Sequence, residues 1–251
     1  MIRALYARMK QGKKTVSYPR ESAVLPPLFR GYPRLLAQER CEGCGLCTSV
    51  CPTGAISCGE SLSIDMGKCL FCPECAAVCP HGALSFTDDP CLAVNHREDL
   101  MITADGERKM ARALEQQAFK LFGRSLKLRQ VSSGGCNACE ADINVLNTVV
   151  FDLGRFGVQF VASPRHADGI LVTGPVTENM KAALLKTYEA VPPPKIVIAS
   201  GACAISGGPF ADSPNVHNGV DGIIPVDLYI PGCPPHPITT LDGLVRLLGR
   251  L

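Results

Sequence analysis

Residues 41–52, CEGCGLCTSVCP, and residues 69–80, CLFCPECAAVCP, decide the fold of this chain. Each run has the spacing C-x2-C-x2-C-x3-C-P, by which protein thiolates hold paired 4Fe-4S clusters. The first three cysteines of a run bind one cluster and the fourth reaches across to the other. That rule assigns Cys41, Cys44, Cys47 and Cys79 to one cluster, and Cys69, Cys72, Cys75 and Cys51 to a second. The two-residue gaps let three thiolates curl around one cluster face, and Pro52 and Pro80 turn the chain away. CPTGAI at 51–56 is echoed by CPHGAL at 79–84, so the region is an internal repeat. Each half is expected to supply a short helix and short strands.

Working outward, the chain has 14 cysteines. Four more form a third set: Cys136, Cys139, Cys203 and Cys233. From residue 126 the pattern changes to strands alternating with helices. Strands are expected at 126–131, 157–162, 168–173, 195–200 and 225–230, and helices at 138–150, 177–190 and 238–249. Ile238, Leu241, Leu244, Val245 and Leu248 give the last helix an apolar face. Such alternation predicts an α/β domain with an open, mostly parallel, flavodoxin-like sheet. It follows a small α+β domain that carries the two-cluster repeat. All four cysteines of the third set fall just beyond the carboxyl ends of strands, the edge where ligand sites collect in such sheets. Gly134, Gly135, Gly201, Gly207, Gly208 and Gly232 let the backbone approach a bulky inorganic group there. A third 4Fe-4S cluster is the reading. A tetrathiolate zinc site is its rival, disfavoured by the cluster pair alongside. Cys58 and Cys91 are left over, and both are expected to be small buried apolar residues.

The length of 251 residues suits two modest domains. The boundaries expected are a basic arm at 1–35, a two-cluster domain at 36–100, a helical linker at 101–125 and the α/β domain at 126–251. The linker helix is read from Met110, Leu114, Leu121 and Phe122. The arm carries eight Lys or Arg against one acid, Glu21. The remainder is therefore slightly acidic, which excludes a nucleic-acid-binding body. Ile2, Leu5, Tyr6 and Met9 recur at helical spacing among Arg3, Arg8, Lys10, Lys13 and Lys14. They predict a short amphipathic helix that docks on a partner or an anionic membrane surface, or else a solvated start. Gly12, Pro19, Pro26 and Pro27 end it and begin an extended segment. No apolar run approaches the roughly 18 residues needed to span a bilayer. Cluster spacings and the lack of an opening signal peptide are read as a reducing compartment.

Other catalytic constellations are missing from the sequence. It has no P-loop, no G-x-G-x-x-G opening a helix after a strand and no nucleophile elbow. Glu140, Arg165 and His166 are the candidates for proton relay or cluster tuning near the third set, with His236 in a neighbouring loop. Their plainer readings are a first-turn helix acid that suits the helix dipole and surface hydrogen-bonding groups.

GCNACE (135–140), SPRHADGILVTGPVTENM (163–180), SGACAISGG (200–208) and YIPGCPPHP (229–237) carry a family resemblance. Residues 126–251 resemble the small subunit of membrane-bound nickel–iron hydrogenases of the formate hydrogenlyase type. That family is related to the 20 kDa cluster-bearing subunit of NADH:quinone oxidoreductase. The resemblance implies that Cys136, Cys139, Cys203 and Cys233 bind the proximal 4Fe-4S cluster, facing the active site of a separate large subunit. The first half resembles the two-cluster, polyferredoxin-like subunit of the same complexes, with SYP (17–19) and FRGYP (29–33) like its N-terminal arm. Two subunits that are usually separate are thus fused here. The quinone-enzyme subunit has two adjacent cysteines at the first ligand position, whereas Asn137 and Ala138 separate Cys136 from Cys139 here. PRHAD also resembles the hydrogenase side, where the quinone enzymes tend to have Gln for His166.

The resemblance implies an electron-transfer subunit with three 4Fe-4S clusters and no catalytic centre of its own. Its implied partners are a hydrogenase-type large subunit, other peripheral-arm and membrane subunits, and a protein electron donor or acceptor. The implied place is the cytoplasmic membrane surface, reached through those subunits. The alternatives are the equivalent subunit of a quinone-reducing, ion-pumping complex, and a hydrogenase-related complex without nickel. A free soluble carrier would be smaller and more acidic.

Overall fold

The computed structural model describes residues 2–36, 40–59, 61–114 and 125–251. Helix α1 (Ile2–Gln11) closes at Gly12, whose N–H donates to the Arg8 carbonyl at 3.0 Å. No described residue of α1 is buried, so its apolar stripe faces outward. Beyond α1, parts of the expected arm are held against the α/β domain. Val16 N–H donates to Val150 O at 2.8 Å, Thr15 Oγ1 to Val149 O at 2.8 Å, and Arg155 Nη2 to Val16 O at 2.7 Å. Val16, Tyr18, Ala23 and Leu25 pack on the core of the α/β domain. The arm beyond α1 is therefore a strap, because these four side chains find a core to cover while Val24 and Leu28 stay exposed.

The strap runs into the two-cluster domain as β1 (Pro33–Leu35). Then follow α2 (Leu46–Ser49), β2 (Ile56–Cys58), β3 (Leu62–Asp65), α3 (Glu74–Val78), β4 (Leu84–Phe86) and β5 (Met101–Thr103). β1 pairs antiparallel with β4, and β2-β3-β5 form a second small antiparallel sheet. The internal repeat is visible atom by atom. Ala55 N–H donates to Cys51 Sγ at 3.2 Å, and Ala83 N–H donates to Cys79 Sγ at 3.3 Å. Residues 33–35 and 101–103 lie outside the 36–100 span that the spacing suggested, because only paired strands reveal where each sheet ends.

The linker differs from expectation as well. Residues 101–103 are strand, and 104–114 contain no helix, so Met110 and Leu114 lie in extended or irregular chain. Leu114 is instead tied to the last helix region by its N–H, which donates to Leu247 O at 3.0 Å. Leu121 and Phe122 lie outside the described residues.

The second half is built as β6 (Leu126–Ser132), α4 (Ala138–Val145), β7 (Val158–Phe160), β8 (Gly169–Thr173), α5 (Glu178–Ala190), β9 (Ile196–Ser200), α6 (Ala202–Ser206), β10 (Leu228–Ile230) and α7 (Pro237–Leu247). The sheet has five parallel strands in the order β7-β6-β8-β9-β10, the flavodoxin-like order with its switch point between β6 and β8. Every residue of β8, β9 and β10 is buried, as a sheet covered on both faces requires. Along these strands the side chains alternate between two cores. Leu171, Ile196, Ile198, Leu228 and Ile230 join Ile238, Leu241, Leu244 and Val245 of α7. Ile170, Val172, Val197, Ala199 and Tyr229 join the other core, which runs on into Ile64, Met66 and Leu100 of the two-cluster domain. That domain thus shares one sheet face with α5 and α6, whose Leu184, Ala204 and Ile205 lie in the same core. α4 ends at Val145 rather than at 150, since Asn147 favours a turn and a β-branched run from Thr148 to Val150 lowers helix propensity.

Candidate metal centres

Two small cavities in the first domain are lined by the two crossed-over cysteine sets. Cys41, Cys44, Cys47 and Cys79 line one, together with Cys58, Leu62 and Leu84. Cys69, Cys72, Cys75 and Cys51 line the other, with Ile56, Ile64 and Phe86. α2 and α3 each carry a middle cysteine, Cys47 and Cys75, on their inner face. Phe71 N–H adds a donor to Cys69 Sγ at 3.3 Å. Burial pushes the Cys69 thiol up to about 12 and Cys75 up to about 11, and neighbouring cysteines push the same way.

The third set comes together at the carboxyl edge of the large sheet. Cys136 and Cys139 follow β6, with Asn137 in the left-handed region at φ 70° as the N-cap of α4. Cys203 lies on α6, a five-residue helix that the sequence reading missed because it spans little more than one turn. Cys233 follows β10. The Cys139 thiol is raised by burial and then by Cys203, Glu140, Cys233 and Cys136, so all four sulfurs share one electrostatic neighbourhood. Burial also lifts Cys203 to about 12 and raises Cys233. A Cβ on Gly201, at φ 93°, would stand 2.7 Å from Cys139 Sγ, so only glycine leaves that thiol its place.

Glu140 is the acid in this neighbourhood. It is buried, and its Oε1 accepts from Ser132 Oγ at 2.5 Å and Thr173 Oγ1 at 2.7 Å, which ties the start of α4 to β6 and β8. Arg165 and His166 are exposed on the short 3-10 turn after β7. His236 caps α7: its Nδ1 accepts Ile238 N–H at 3.2 Å, and its ring meets Phe29 edge-on at 5.3 Å. Phe29 belongs to the strap, and the next residue, Arg30, donates from Nε to the Phe71 carbonyl. A cleft of about 270 Å3 lies between, lined by Phe29, Leu70, Phe71, Cys233 and His236. Leu70 lines both this cleft and the second thiol cavity, so the second and third cysteine sets approach each other here.

The leftover cysteines are not the inert apolar residues expected. Both are half-buried, with sulfurs in polar contact. Cys58 Sγ is 4.0 Å from Cys41 Sγ, and burial followed by Cys41 pushes its thiol up to about 11. Cys91 Sγ donates to Asp242 Oδ1 at 3.5 Å. Sequence could not have paired residues this far apart.

Among the described residues, no group of three or more His, Cys, Asp or Glu gathers closely enough to hold a single metal ion. Tetrahedral zinc, with Zn–S bonds of about 2.3 Å, would draw its thiolates to within about 4 Å of one another. Soft thiolates arranged around cavities, with backbone N–H donors aimed at sulfur, suit a larger iron–sulfur group.

Thiol-lined cavities beside a flavodoxin-like sheet edge define an iron–sulfur electron-transfer protein. Residues 136–247 match the family of the 20 kDa subunit of NADH ubiquinone oxidoreductase, and residues 40–83 match the 4Fe-4S dicluster domain. The probable membrane-bound hydrogenase subunit mbhJ of Pyrococcus furiosus is 46% identical over 60% of this chain and 90% of its own length. Formate hydrogenlyase subunit 7 of Escherichia coli is 46% identical over 55% of this chain and 54% of its own length, so this chain spans about half of that relative. An NADH-quinone oxidoreductase subunit of Heliobacterium modesticaldum is 46% identical over 47% of this chain and 69% of its own length. The chain belongs to this family of hydrogenase small subunits and 20 kDa oxidoreductase subunits, joined here to a two-cluster ferredoxin-like domain. It is an iron–sulfur electron-transfer subunit of the kind found in membrane-bound hydrogenase and NADH-quinone oxidoreductase complexes.

Proposed function

We propose that this chain carries electrons through three 4Fe-4S clusters, to or from the active site of a large subunit in a membrane-associated nickel–iron hydrogenase-type complex. The observation that carries the reading is the order of the three cysteine sets along one path. The two cavities share the small domain, and Leu70 lies between the second cavity and the cleft at Cys233. Cys41, Cys44, Cys47 and Cys79 would hold the first cluster, Cys69, Cys72, Cys75 and Cys51 the second, and Cys136, Cys139, Cys203 and Cys233 the third.

Each cluster, when bound, accepts and passes one electron at a time. The chain's own part is electrostatic. Burial favours the protonated thiols of Cys69 and Cys203, so binding iron there would displace those protons. The N–H groups of Ala55, Phe71 and Ala83 point at the sulfurs of Cys51, Cys69 and Cys79 and would stabilise negative charge on those ligands. Glu140, held by Ser132 and Thr173, stands beside Cys139 as a tuning group or a proton carrier. Exposed Arg165 and His166 are placed to meet a partner.

A second reading is favoured by the likeness to the NADH-quinone oxidoreductase relative, namely the same wire in a quinone-reducing complex or one without nickel. Metal analysis of the co-purified complex separates them: nickel in the large subunit supports the hydrogenase reading, and a nickel-free complex supports the other. For the wire itself, the chain reconstituted with iron and sulfide is expected to bind about twelve irons. Cys136→Ser or Cys233→Ser should lower that to about eight, leaving the ferredoxin-like pair. Eight irons with one zinc in the unaltered chain would overturn the third cluster.

A further inference from the structure

The first thiol cavity contains one more cysteine than a four-iron cluster takes. Cys58 lines it beside Cys41, Cys44, Cys47 and Cys79. Its Sγ lies 4.0 Å from Cys41 Sγ, within reach of an S–H···S hydrogen bond. The residue ends β2 opposite Leu62, another residue that lines the cavity. Along β2, Ile56 is buried, Ser57 is exposed and Cys58 is half-buried, so the strand's alternation turns Cys58 back toward the cavity.

The internal repeat shows what stands at the matching place in the second site. Cys51 corresponds to Cys79, Ala55 to Ala83, Ile56 to Leu84, and therefore Cys58 to Phe86. Phe86 lines the second thiol cavity as Cys58 lines the first. The two sites share their backbone N–H···S bonds at Ala55 and Ala83. They differ at this position: one has a thiol, the other an apolar ring.

We propose that Cys58 is a positioning residue that donates its S–H to Cys41 Sγ and thereby raises the first cluster's reduction potential. The inference rests on the reading that both cavities hold clusters. Reduction adds negative charge that spreads onto the ligand sulfurs. A donor aimed at one of those sulfurs stabilises the reduced form more than the oxidised form. The Phe86 ring offers no such donor at the matching place, and the second site has instead the Phe71 N–H aimed at Cys69 Sγ. The four ligand positions of the first cluster are already filled, which leaves Cys58 its proton to donate.

The test is a redox titration of the full chain, reconstituted with iron and sulfide and followed by electron paramagnetic resonance, for the unaltered protein, Cys58→Ala and Cys58→Ser. About twelve irons are expected in all three proteins. In Cys58→Ala one cluster signal should move to lower potential by about a tenfold change in its reduction constant, which is 59 mV for one electron. The other two signals should stay in place and act as internal controls. Cys58→Ser keeps a donor and should return the signal toward its original position. Unmoved signals in Cys58→Ala would overturn the proposal. So would an equal shift in both variants, which would mark a volume effect, or a loss of about four irons, which would make Cys58 a ligand. Fewer than about eight irons in the unaltered chain would instead overturn the cluster reading itself, before any variant is compared.

Discussion

The Ser206 hydroxyl donates to the Gly67 carbonyl at 2.9 Å. Gly67 stands two residues before Cys69, and Ser206 three residues after Cys203, so this bond joins the second cysteine set to the third. The approach is tight. A Cβ on Gly67 would lie 2.8 Å from Ile205 Cγ2 and 3.0 Å from Leu100 Cδ1. Gly67→Ala should therefore force the loop off α6 and cost about 1–3 kcal/mol in denaturant unfolding, as overpacking does. Ser206→Ala should cost about 1 kcal/mol, the worth of one hydrogen bond. A Gly67→Ala protein as stable as the original would mean that the contact yields freely.

Asp242 should be the most costly single side chain to remove from the strap's anchorage. Its side chain is 1% exposed and accepts from Arg246 Nε at 2.9 and 3.0 Å, from the Tyr18 hydroxyl and from the Cys91 thiol. Asp242→Ala strands these groups and is expected to cost about 3 kcal/mol, at the low end for a broken buried pair because Arg246 reaches solvent. Proteolysis between residues 13 and 30 should then quicken, since Tyr18 loses its anchor. Cys91→Ala removes only the weakest partner and should leave both stability and iron content nearly unchanged. An unaltered cleavage rate in Asp242→Ala would show that the strap is held elsewhere.

His236 supplies a pH dependence of defined sign. Burial holds its ring below the ordinary histidine value, and Nδ1 accepts a backbone N–H that an imidazolium could not receive. The unfolded chain binds a proton at a pH where the native chain does not. The contribution to stability is therefore present above about pH 6.5 and is lost as the pH falls through the lowered native value. His236→Asn keeps an N-cap acceptor that does not titrate. Between about pH 7.5 and about pH 5.5 the variant should lose less stability than the original chain. Equal losses would place the pH dependence in other groups.

Deletions at the start of the chain should separate docking from folding. Removing residues 1–12 takes only α1, whose Ile2 and Met9 are each 83% exposed, and should leave unfolding unchanged. It should weaken co-purification with the partner subunits, more so at low salt, where the attraction of α1 is unscreened, if basic residues and a narrow apolar stripe hold α1 to an acidic or lipid surface. Removing residues 1–20 also takes Val16 and Tyr18 from the core and should lower stability as well. Full recovery of the shorter deletion at both low and high salt would make α1 a solvated tail.

Much of this was written in local pattern. The cysteine runs at 41–51 and 69–79 are read within a dozen residues each. Alternation along β8 and β9, and the 3.6-residue stripe of α7, are likewise properties of single segments. Every expected strand of the large sheet is present within three residues of its expected ends. What lay beyond local pattern was any feature set by the meeting of distant segments. Examples are the strand β5 inside an expected helical linker, the strap on the α/β core, and the short helix that carries Cys203.

The order of residues alone indicates which segments become strands and helices and marks the two runs of closely spaced thiols, because periodicity and ligand spacing act over a few residues. The packed chain is needed to settle that the small domain packs on one face of the large sheet beside α5 and α6, that Cys58 faces Cys41 where Phe86 faces the second site, and that Gly67 meets Ser206. Those relationships depend on which buried faces fit one another across long loops. Packing energy selects that fit for the whole chain at once, so no single segment records it.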